Sequence, residues 1–231
     1  LVEDNLINQE VASMMLKRVA IEVDIANNGQ EAVEKYFENP SRYDLILMDL
    51  QMPVMSGYKA TKIIRERDKD IPIIALTAAA MIEDKQKAID AGMNEHLGKP
   101  IDMSELYKTV AKLCNVDLKI KETHASLRKI DEILDMEDLE KIFSSKELID
   151  KLLKNFSQEL TSTFKDLGTL ISHNDKSTQL LLHTLKGLSG NLRANKLYEV
   201  CKSIDAKYVS KQKISESEIE KLKTAIKSTQ E

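Results

Sequence analysis

Short apolar runs alternate with amphipathic stretches along the first half of the chain. The apolar runs are strand candidates, and they cover residues 21–25, 45–48, 71–76 and 95–97. Between them, apolar residues recur with helical spacing near residues 8–19, 30–38, 58–67, 82–91 and 104–114. If Leu1 and Val2 end a further strand, the alternation predicts an α/β domain with a doubly wound, five-stranded parallel sheet.

In the second half of the chain, the apolar residues recur with a different period. From about residue 136 the strand-type alternation gives way to amphipathic helical segments near 136–143, 146–171, 176–190, 194–209 and 215–229. Only short polar breaks separate them, which favours antiparallel neighbours and a small all-α bundle. The organisation predicted is an α/β domain over 1–116, a lysine- and glutamate-rich linker over 117–135 that is partly helical, and a bundle over 136–231.

The composition of the chain argues against several classes of protein. The 231 residues carry a formal net charge of −4, and neither half has the basic surplus of a nucleic-acid binder. No apolar run approaches the roughly 20 residues needed to cross a bilayer, and Cys114 and Cys201 suggest reduced core thiols. We therefore expect a cytoplasmic fragment without membrane contact. Since only two residues precede Glu3, we also expect it to be the C-terminal part of a longer protein, which a segment outside this sequence could anchor in a membrane.

Polar groups follow four of the predicted strands. They are Glu3 with Asp4, Asp49, Thr77 and Lys99. Because ligands bind beyond the carboxyl ends of strands in open parallel sheets, these groups should meet in one cleft. Three carboxylates there repel one another unless a cation lies among them, and such oxygen ligands suit Mg²⁺. With a lysine and a hydroxyl nearby, the cleft could accept a phosphoryl group onto Asp49, although Asp4 alone could instead cap the first helix.

Four motifs then identify a resemblance. VEDN at 2–5, MDLQMP at 48–53, LTA at 76–78 and GKP at 98–100 resemble the response-regulator receiver domain over about residues 1–116. The resemblance implies a flavodoxin-like fold with Asp49 as phosphoacceptor. It further implies that Asp4 and Asp49 bind Mg²⁺ directly, that Glu3 helps through water, and that the Gln51 backbone carbonyl is a ligand. Thr77 and Lys99 would contact the phosphoryl group.

His96 occupies the position of the family's aromatic switch residue, three residues before Lys99. The commoner residues there are tyrosine and phenylalanine. A histidine could rotate inward when Thr77 moves toward the phosphoryl group, or it could simply be an exposed residue at a strand end. Both interpretations stay open at this stage.

The segment LLLHTLKGLSGNL, residues 180–192, forms the second candidate site. On a helical wheel of about 100° per residue, four leucines form one stripe and His183 lies opposite them, which predicts an exposed imidazole. Gln179, Lys186, Gly187 and Gly190 fall around it. Two glycines inside a helix each cost about 1 kcal/mol relative to alanine, so they suggest close approach by another protein; alternatively, they mark a helix end. The leucines of the predicted core stripe are Leu181, Leu185, Leu188 and Leu192.

HTLKG resembles the histidine-phosphotransfer (HPt) domain, over about residues 130–231. The resemblance implies a four-helix bundle in which His183 is a phosphoacceptor supported by Lys186 and Gly187. A receiver followed by an HPt domain resembles the C-terminal end of a hybrid sensor histidine kinase. The implied partners are an upstream histidine kinase domain, which phosphorylates Asp49, and the receiver of a downstream response regulator, which takes the phosphoryl group from His183.

Two other classes of function remain at this stage. A phosphohydrolase could use Asp49 as its nucleophile, but the second aspartate that such sites usually carry two residues on is replaced by Gln51. A docking module would carry a receiver that is never phosphorylated, and the full set of acidic residues with Thr77 and Lys99 argues against it. No Gly-rich nucleotide-binding motif occurs in the sequence, so we expect ATP to be used elsewhere.

Overall fold

The structure is a computed structural model in which the chain divides into two compact units, Leu1–Thr123 and His124–Glu231. It describes residues 1–77, 82–116, 118, 133–143, 145–173, 175 and 177–230, without the side chains of 82–84. Most of the predicted linker, 117–135, and Ala78 of the LTA motif lie outside the described residues.

A parallel sheet forms the centre of the first unit. Its strands are β1 (Ile46–Asp49), β2 (Ile73–Thr77) and β3 (Glu95–Gly98), in the spatial order β1-β2-β3. β1 and β2 are buried along their whole length, as expected for a sheet covered on both faces. The predicted flavodoxin-like class is confirmed.

The two remaining predicted strands are present only as single bridges. Val2 pairs in parallel with Met48 on one side and with Ala26 on the other. Its N–H donates to the Leu47 carbonyl at 2.8 Å, and the Glu3 N–H donates to the Ala26 carbonyl at 3.0 Å. In the part of the chain that the structure describes, residues 21–25 form no extended ladder, and the sheet has three extended strands where five were predicted.

Capped helices follow the strands. Asn5, Asn28, Ser56 and Asp102 each accept a backbone N–H at the start of a helix. Asn5, and not Asp4, is the N-cap of the first helix. The helices are α1 (Leu6–Lys17), α2 (Gly29–Glu38), α3 (Gly57–Arg67), α4 (Ile82–Asp90) and α5 (Met103–Cys114), with a short 3₁₀ turn at Pro40–Arg42.

The second unit is a helical bundle. Its longer helices are α7 (Lys146–Ser162), α9 (Thr178–Asn191), α10 (Asn195–Val209) and α11 (Glu216–Gln230). The short α6 (Met136–Ile142) and α8 (Leu167–Ser172) add to them. The helix predicted over 146–171 is divided into α7 and α8, because the chain turns there and buries both Phe164 and Leu167.

The two cysteines differ in their environments. Cys201 on α10 is completely buried, as predicted, and burial raises the pKa of its thiol. Cys114, at the end of α5, is only half-buried, so its assignment to a core was wrong. Both are free thiols.

Gly57 provides a test of how closely α3 approaches the end of β1. A Cβ built on Gly57 would lie 2.1 Å from the Asp49 carbonyl oxygen and 2.8 Å from Met48 Cγ. We expect Gly57→Ala to lower the free energy of unfolding by about 1–3 kcal/mol or more, since backbone cannot yield as a flexible side chain does. Urea denaturation checks this.

Gly98→Ala is the matched control, because no described atom lies within 4 Å of a Cβ at that position. It should change the free energy of unfolding by less than about 0.5 kcal/mol. Equal unfolding midpoints for the two variants would show that α3 does not press on β1 as described.

Candidate functional site

The parallel register brings the predicted polar residues to one edge of the sheet. Asp49 is the last residue of β1 and pairs with Leu76, one residue before Thr77 at the end of β2. Thr77 in turn pairs with Gly98, and the Lys99 N–H donates to the Thr77 carbonyl at 2.6 Å. Glu3 follows Val2, which bridges to β1. The ends of neighbouring strands therefore bring these polar residues to the same edge of the sheet.

Three carboxyl groups form a compact cluster at this edge. Glu3, Asp4 and Asp49 each offer an oxygen, and these atoms all lie within 4.8 Å of one another. Asp49 is only 2 % exposed and Glu3 is equally buried, whereas Asp4 is half-buried. One cation could thus contact all three, with Asp4 on the solvent side.

Lys99 links two members of the acidic cluster. Its Nζ donates to Glu3 Oε2 at 2.5 Å and to Asp49 Oδ2 at 2.6 Å, and the residue is 5 % exposed. Desolvation lowers the pKa of Lys99, but the two carboxylates outweigh it, so the pKa is raised and the ammonium stays charged. The lysine thereby offsets part of the negative charge that burial would otherwise make unfavourable.

Burial changes the pKa of the Glu3 carboxyl group relative to that of an exposed one. Desolvation raises the pKa of Glu3, and the charge of Lys99 and the hydrogen bond from Asn8 act against that rise. Asn8 Nδ2 donates to Glu3 Oε1 at 2.8 Å, and Gln9 Nε2 donates to the Glu3 carbonyl at 2.6 Å. Sequence reasoning missed both amides. The sequence feature that could have indicated them is their spacing. They follow Glu3 by five and six residues and lie on the buried face of α1.

Gln51 lies in the loop between β1 and α3. Its backbone N–H donates to Asp49 Oδ1 at 3.3 Å, which places the Gln51 main chain beside the carboxylate. Of the two residues that the sequence predicts to respond to a phosphoryl group, Thr77 is buried at the end of β2. His96 is half-buried in β3, where it pairs with Ala75, two residues before Thr77.

The donor set fits a hard divalent cation. It consists of carboxylate oxygens, one of them on a partly exposed residue, in a cleft that also holds a lysine. Mg²⁺ prefers such oxygen ligands and keeps several waters, for which the half-buried Asp4 side leaves room. The residues present therefore fit the ion that the sequence predicts.

His183, on α9 of the second unit, is not exposed as the sequence predicted. It is 4 % exposed, and Lys186, Gly187 and Gly190 are buried with it, whereas Gln179 is exposed as expected. The buried leucine stripe begins at Leu182, directly before His183, and Leu181 is only half-buried. The helical wheel was misleading because nearly the whole surface of α9 is enclosed from Leu182 onward.

Polar residues on α9 find partners inside the protein, which explains the error. Lys186 Nζ donates to Asp205 Oδ2 on α10, and both side chains are buried. Ser189 Oγ donates to the Leu185 carbonyl at 2.7 Å. A polar position on this helix therefore does not mark a solvent face. Asp205 was missed by sequence reasoning, since nothing in its own segment distinguishes it from a surface aspartate.

Comparison with known proteins agrees with both units. The family model of the response regulator receiver domain matches residues 1–111, and that of the Hpt domain matches residues 151–231. The chain is 42% identical over 118 residues to hybrid signal transduction histidine kinase M of Dictyostelium discoideum, which covers 49% of this chain and 5% of the kinase. It is 38% identical over 112 residues to two-component response regulator 24 of Arabidopsis thaliana, covering 48% of this chain and 80% of the regulator.

Among solved structures, one similar chain is the receiver domain of sensor histidine kinase PA1611 from Pseudomonas aeruginosa PAO1, which has a magnesium ion coordinated in its active-site cleft. The identity is 40%, the TM-score is 0.46, and the match covers 50% of this chain and 94% of that one. The chain spans only 5–12% of the length of the first histidine kinases that it matches.

The chain belongs to the response-regulator receiver family through its first half, and an Hpt domain follows in its second half. This combination belongs to phosphorelay signal transduction, in which phosphoryl groups pass between a kinase, receivers and Hpt domains. Within the described part of the chain, every helix is too short or too polar to cross a bilayer.

Removing the Lys99 charge should strengthen binding of a cation to the acidic cluster. The ammonium now bonds to Glu3 and Asp49, and a divalent cation would compete with it for the same carboxylates. We expect Lys99→Met to raise Mg²⁺ affinity by about tenfold, measured by isothermal titration calorimetry.

Lys112→Met is the matched control for this titration. Lys112 is an exposed lysine whose partner is Glu95, and its loss should leave Mg²⁺ affinity unchanged. Weaker binding in Lys99→Met than in Lys112→Met would contradict the competition inferred between lysine and cation.

Removing the Asp205 charge should destabilise the bundle, because Lys186 would be left buried without its carboxylate partner. We expect Asp205→Asn to lower the free energy of unfolding by about 3–5 kcal/mol. Glu218→Gln breaks the more exposed pair with Lys207 and should cost less than about 1 kcal/mol. Chemical denaturation monitored by circular dichroism compares them, and a similar loss in both would refute the buried pairing.

Proposed function

We propose that Asp49 is the phosphoacceptor of the receiver domain and that His183 is the phosphoryl-carrying histidine of the Hpt domain. The observation that carries the proposal is the position of the Asp49 carboxylate. It ends β1, bonds to the Lys99 ammonium, and offers an oxygen within 4.8 Å of oxygens of Glu3 and Asp4. A nucleophilic oxygen, a fixed positive charge and a cluster of cation ligands therefore lie within one cleft.

Phosphoryl transfer at Asp49 needs little covalent chemistry from its surroundings. An Asp49 carboxylate oxygen attacks the phosphorus of a phosphohistidine on a kinase domain, a P–O bond forms, and the P–N bond breaks to release the imidazole. Glu3, Asp4, Asp49 and the Gln51 carbonyl would hold Mg²⁺, which supplies positive charge against the oxygens of the phosphoryl group. Lys99 adds a second positive charge there, and Thr77 donates a hydroxyl hydrogen bond.

The phosphoryl group then moves from Asp49 to a histidine. The His183 nitrogen attacks, a P–N bond forms, and the acyl-phosphate P–O bond breaks to regenerate the Asp49 carboxylate. Lys186 lies one helical turn from His183 and is the residue we propose to support the phosphorylated imidazole, with its ammonium paired to Asp205. Because His183 is buried, the imidazole must gain exposure before a phosphoryl donor or acceptor reaches it.

The partners follow from this order of transfer. The donor to Asp49 is an upstream histidine kinase domain, placed by us in the same parent protein, and the acceptor from His183 is the receiver of a separate response regulator. Gln179, which is exposed, belongs to the surface that this receiver approaches, whereas Gly187 and Gly190 are buried on the same helix. His96 acts as the switch residue that responds to Thr77. We place the domain boundaries at 1–116 and 136–231.

The acid and base stability of the bound phosphoryl group tests the proposal. An acyl phosphate on aspartate is lost in base, whereas a phosphohistidine is lost in acid. In the His183→Gln chain, radiolabelled acetyl phosphate with Mg²⁺ should leave only base-labile label, and EDTA should abolish it. When this labelled chain is mixed with the Asp49→Ala chain, acid-labile label should appear on the latter.

Asp44→Ala is the control for carboxylate loss, since Asp44 is an exposed aspartate just before β1. It should label as the unmodified chain does, whereas Asp49→Ala should take up no label from acetyl phosphate. Undiminished labelling of Asp49→Ala would exclude Asp49 as the acceptor.

A further inference from the structure

The start of α2 contains Asn28 followed by Gly29, the one asparagine–glycine pair in the sequence. The backbone nitrogen of the residue after an asparagine can attack the side-chain amide carbon, which forms a cyclic succinimide and releases ammonia. Glycine permits this attack best, because it has no Cβ beside the attacking nitrogen. This pair is therefore the position in the chain where spontaneous modification of an asparagine is chemically easiest.

The fold has a use for both residues of the pair. Asn28 is the N-cap of α2, and its Oδ1 accepts the Glu31 N–H at 3.0 Å. Asparagine is among the residues best suited to that position. Gly29 is buried, and a Cβ built on it would lie 2.7 Å from the Met55 carbonyl oxygen, so a larger residue does not fit. Helix capping and close packing thus place a chemically labile pair at the start of α2.

The folded structure blocks the attack in three ways. The Gly29 N–H donates to the Met55 carbonyl at 3.0 Å, which opposes loss of the proton from the attacking nitrogen. The succinimide ring closes only when Asn28 Cβ and the Gly29 nitrogen are eclipsed about the Cα–C bond, and the Asn28 ψ of 172° keeps them apart. The bond from the Glu31 N–H also holds the Asn28 side chain against the helix end. Ring closure therefore requires the start of α2 to open.

An exposed network of hydrogen bonds holds the residue before Asn28. Glu31 Oε2 accepts both the Asn27 N–H and Asn27 Nδ2, each at 2.8 Å. Asn27 Oδ1 accepts Gln9 Nε2 at 3.0 Å, and Lys35 Nζ lies 2.7 Å from Glu31 Oε1. Helix ends open more readily than the core, and here the contacts of Glu31 oppose that opening. The Glu31 carboxylate should therefore control how often Asn28 becomes reactive.

We propose that Asn28 is a modification site, which deamidates when the start of α2 opens locally. The Gly29 nitrogen loses its proton to hydroxide and bonds to Asn28 Cγ, while the Cγ–Nδ2 bond breaks and the amide nitrogen leaves as ammonia with a proton from water. Water then opens the succinimide at either carbonyl, which leaves aspartate or isoaspartate at position 28. Aspartate still caps α2, whereas isoaspartate lengthens the main chain by a methylene group and displaces Gly29 from the Met55 carbonyl.

The test compares the deamidation rate in the folded and the unfolded chain. The full chain is kept at mildly alkaline pH in buffer or in denaturing urea, and mass spectrometry of its peptides follows position 28, with enzymatic carboxyl methylation to detect isoaspartate. The folded chain should react at least about tenfold more slowly, because the rate follows the population of the open form. Asn115 is the internal control: it is exposed, but the β-branched Val116 follows it, so it should stay unmodified in both conditions.

Three variants in buffer separate local opening from unfolding of the whole unit. Glu31→Ala should accelerate deamidation of Asn28 about fivefold, the effect of losing roughly one net hydrogen bond at the start of α2. Glu34→Ala is the matched control, since Glu34 is exposed on the same helix, and it should leave the rate unchanged. Ile73→Val lowers the stability of the whole unit from a buried position in β2 and should also leave the rate unchanged.

Several results would overturn the proposal. Equal rates in buffer and in urea would show that the contacts at the start of α2 give no protection. Equal rates for Glu31→Ala and Glu34→Ala would show that the Glu31 network does not control the reaction. An acceleration by Ile73→Val as large as that by Glu31→Ala would mean that modification proceeds through unfolding of the whole unit. Modification of Asn115 in urea while Asn28 stays intact would refute the choice of site.

Discussion

The arrangement of the receiver site depends on a single ammonium group. Lys99 Nζ bonds to both Glu3 and Asp49, two carboxyl groups that lie almost entirely out of water. Without a positive charge between them, the two carboxylates would repel each other in a poorly solvated cleft. The same bonds keep Asp49 oriented at the end of β1, and the parallel register supplies every other group by ending neighbouring strands at the same edge.

The residues at this edge of the sheet could be predicted well because the sequence patterns that indicate them are local. An apolar run that ends at Asp49 indicates a buried strand and its carboxyl end, and the same holds for Thr77 and for the short strand before Lys99. Strand length was less predictable. Residues 21–25 have strand composition, but an extended ladder also needs a paired strand, and among the described residues a single bridge, between Val2 and Ala26, forms next to them. The amides of Asn8 and Gln9 were missed because a buried polar residue on a helix resembles a surface one in sequence.

In the helical bundle, by contrast, a local sequence pattern gave a wrong prediction of which residues are exposed. A helical wheel assumes that polar residues face water, yet Lys186 lies inside the protein because Asp205 on α10 neutralises it. That partner is 19 positions along the chain, beyond the reach of any periodicity argument. His183 is buried on the same helix, which the sequence pattern did not predict. The exposure of His183 inferred from the glycines was wrong, because Gly187 and Gly190 are buried with it.

The central claim is that Asp49 carries the phosphoryl group, and it can be tested at the level of the residue. Borohydride reduces an acyl phosphate on aspartate to homoserine, which marks the phosphorylated position permanently. After incubation with acetyl phosphate and Mg²⁺, reduction and peptide mass spectrometry should find homoserine at position 49, with Asp4 and Asp44 unchanged. Homoserine at Asp4 or Asp44, or an unmodified Asp49 in a chain that has taken up phosphoryl groups, would contradict the account.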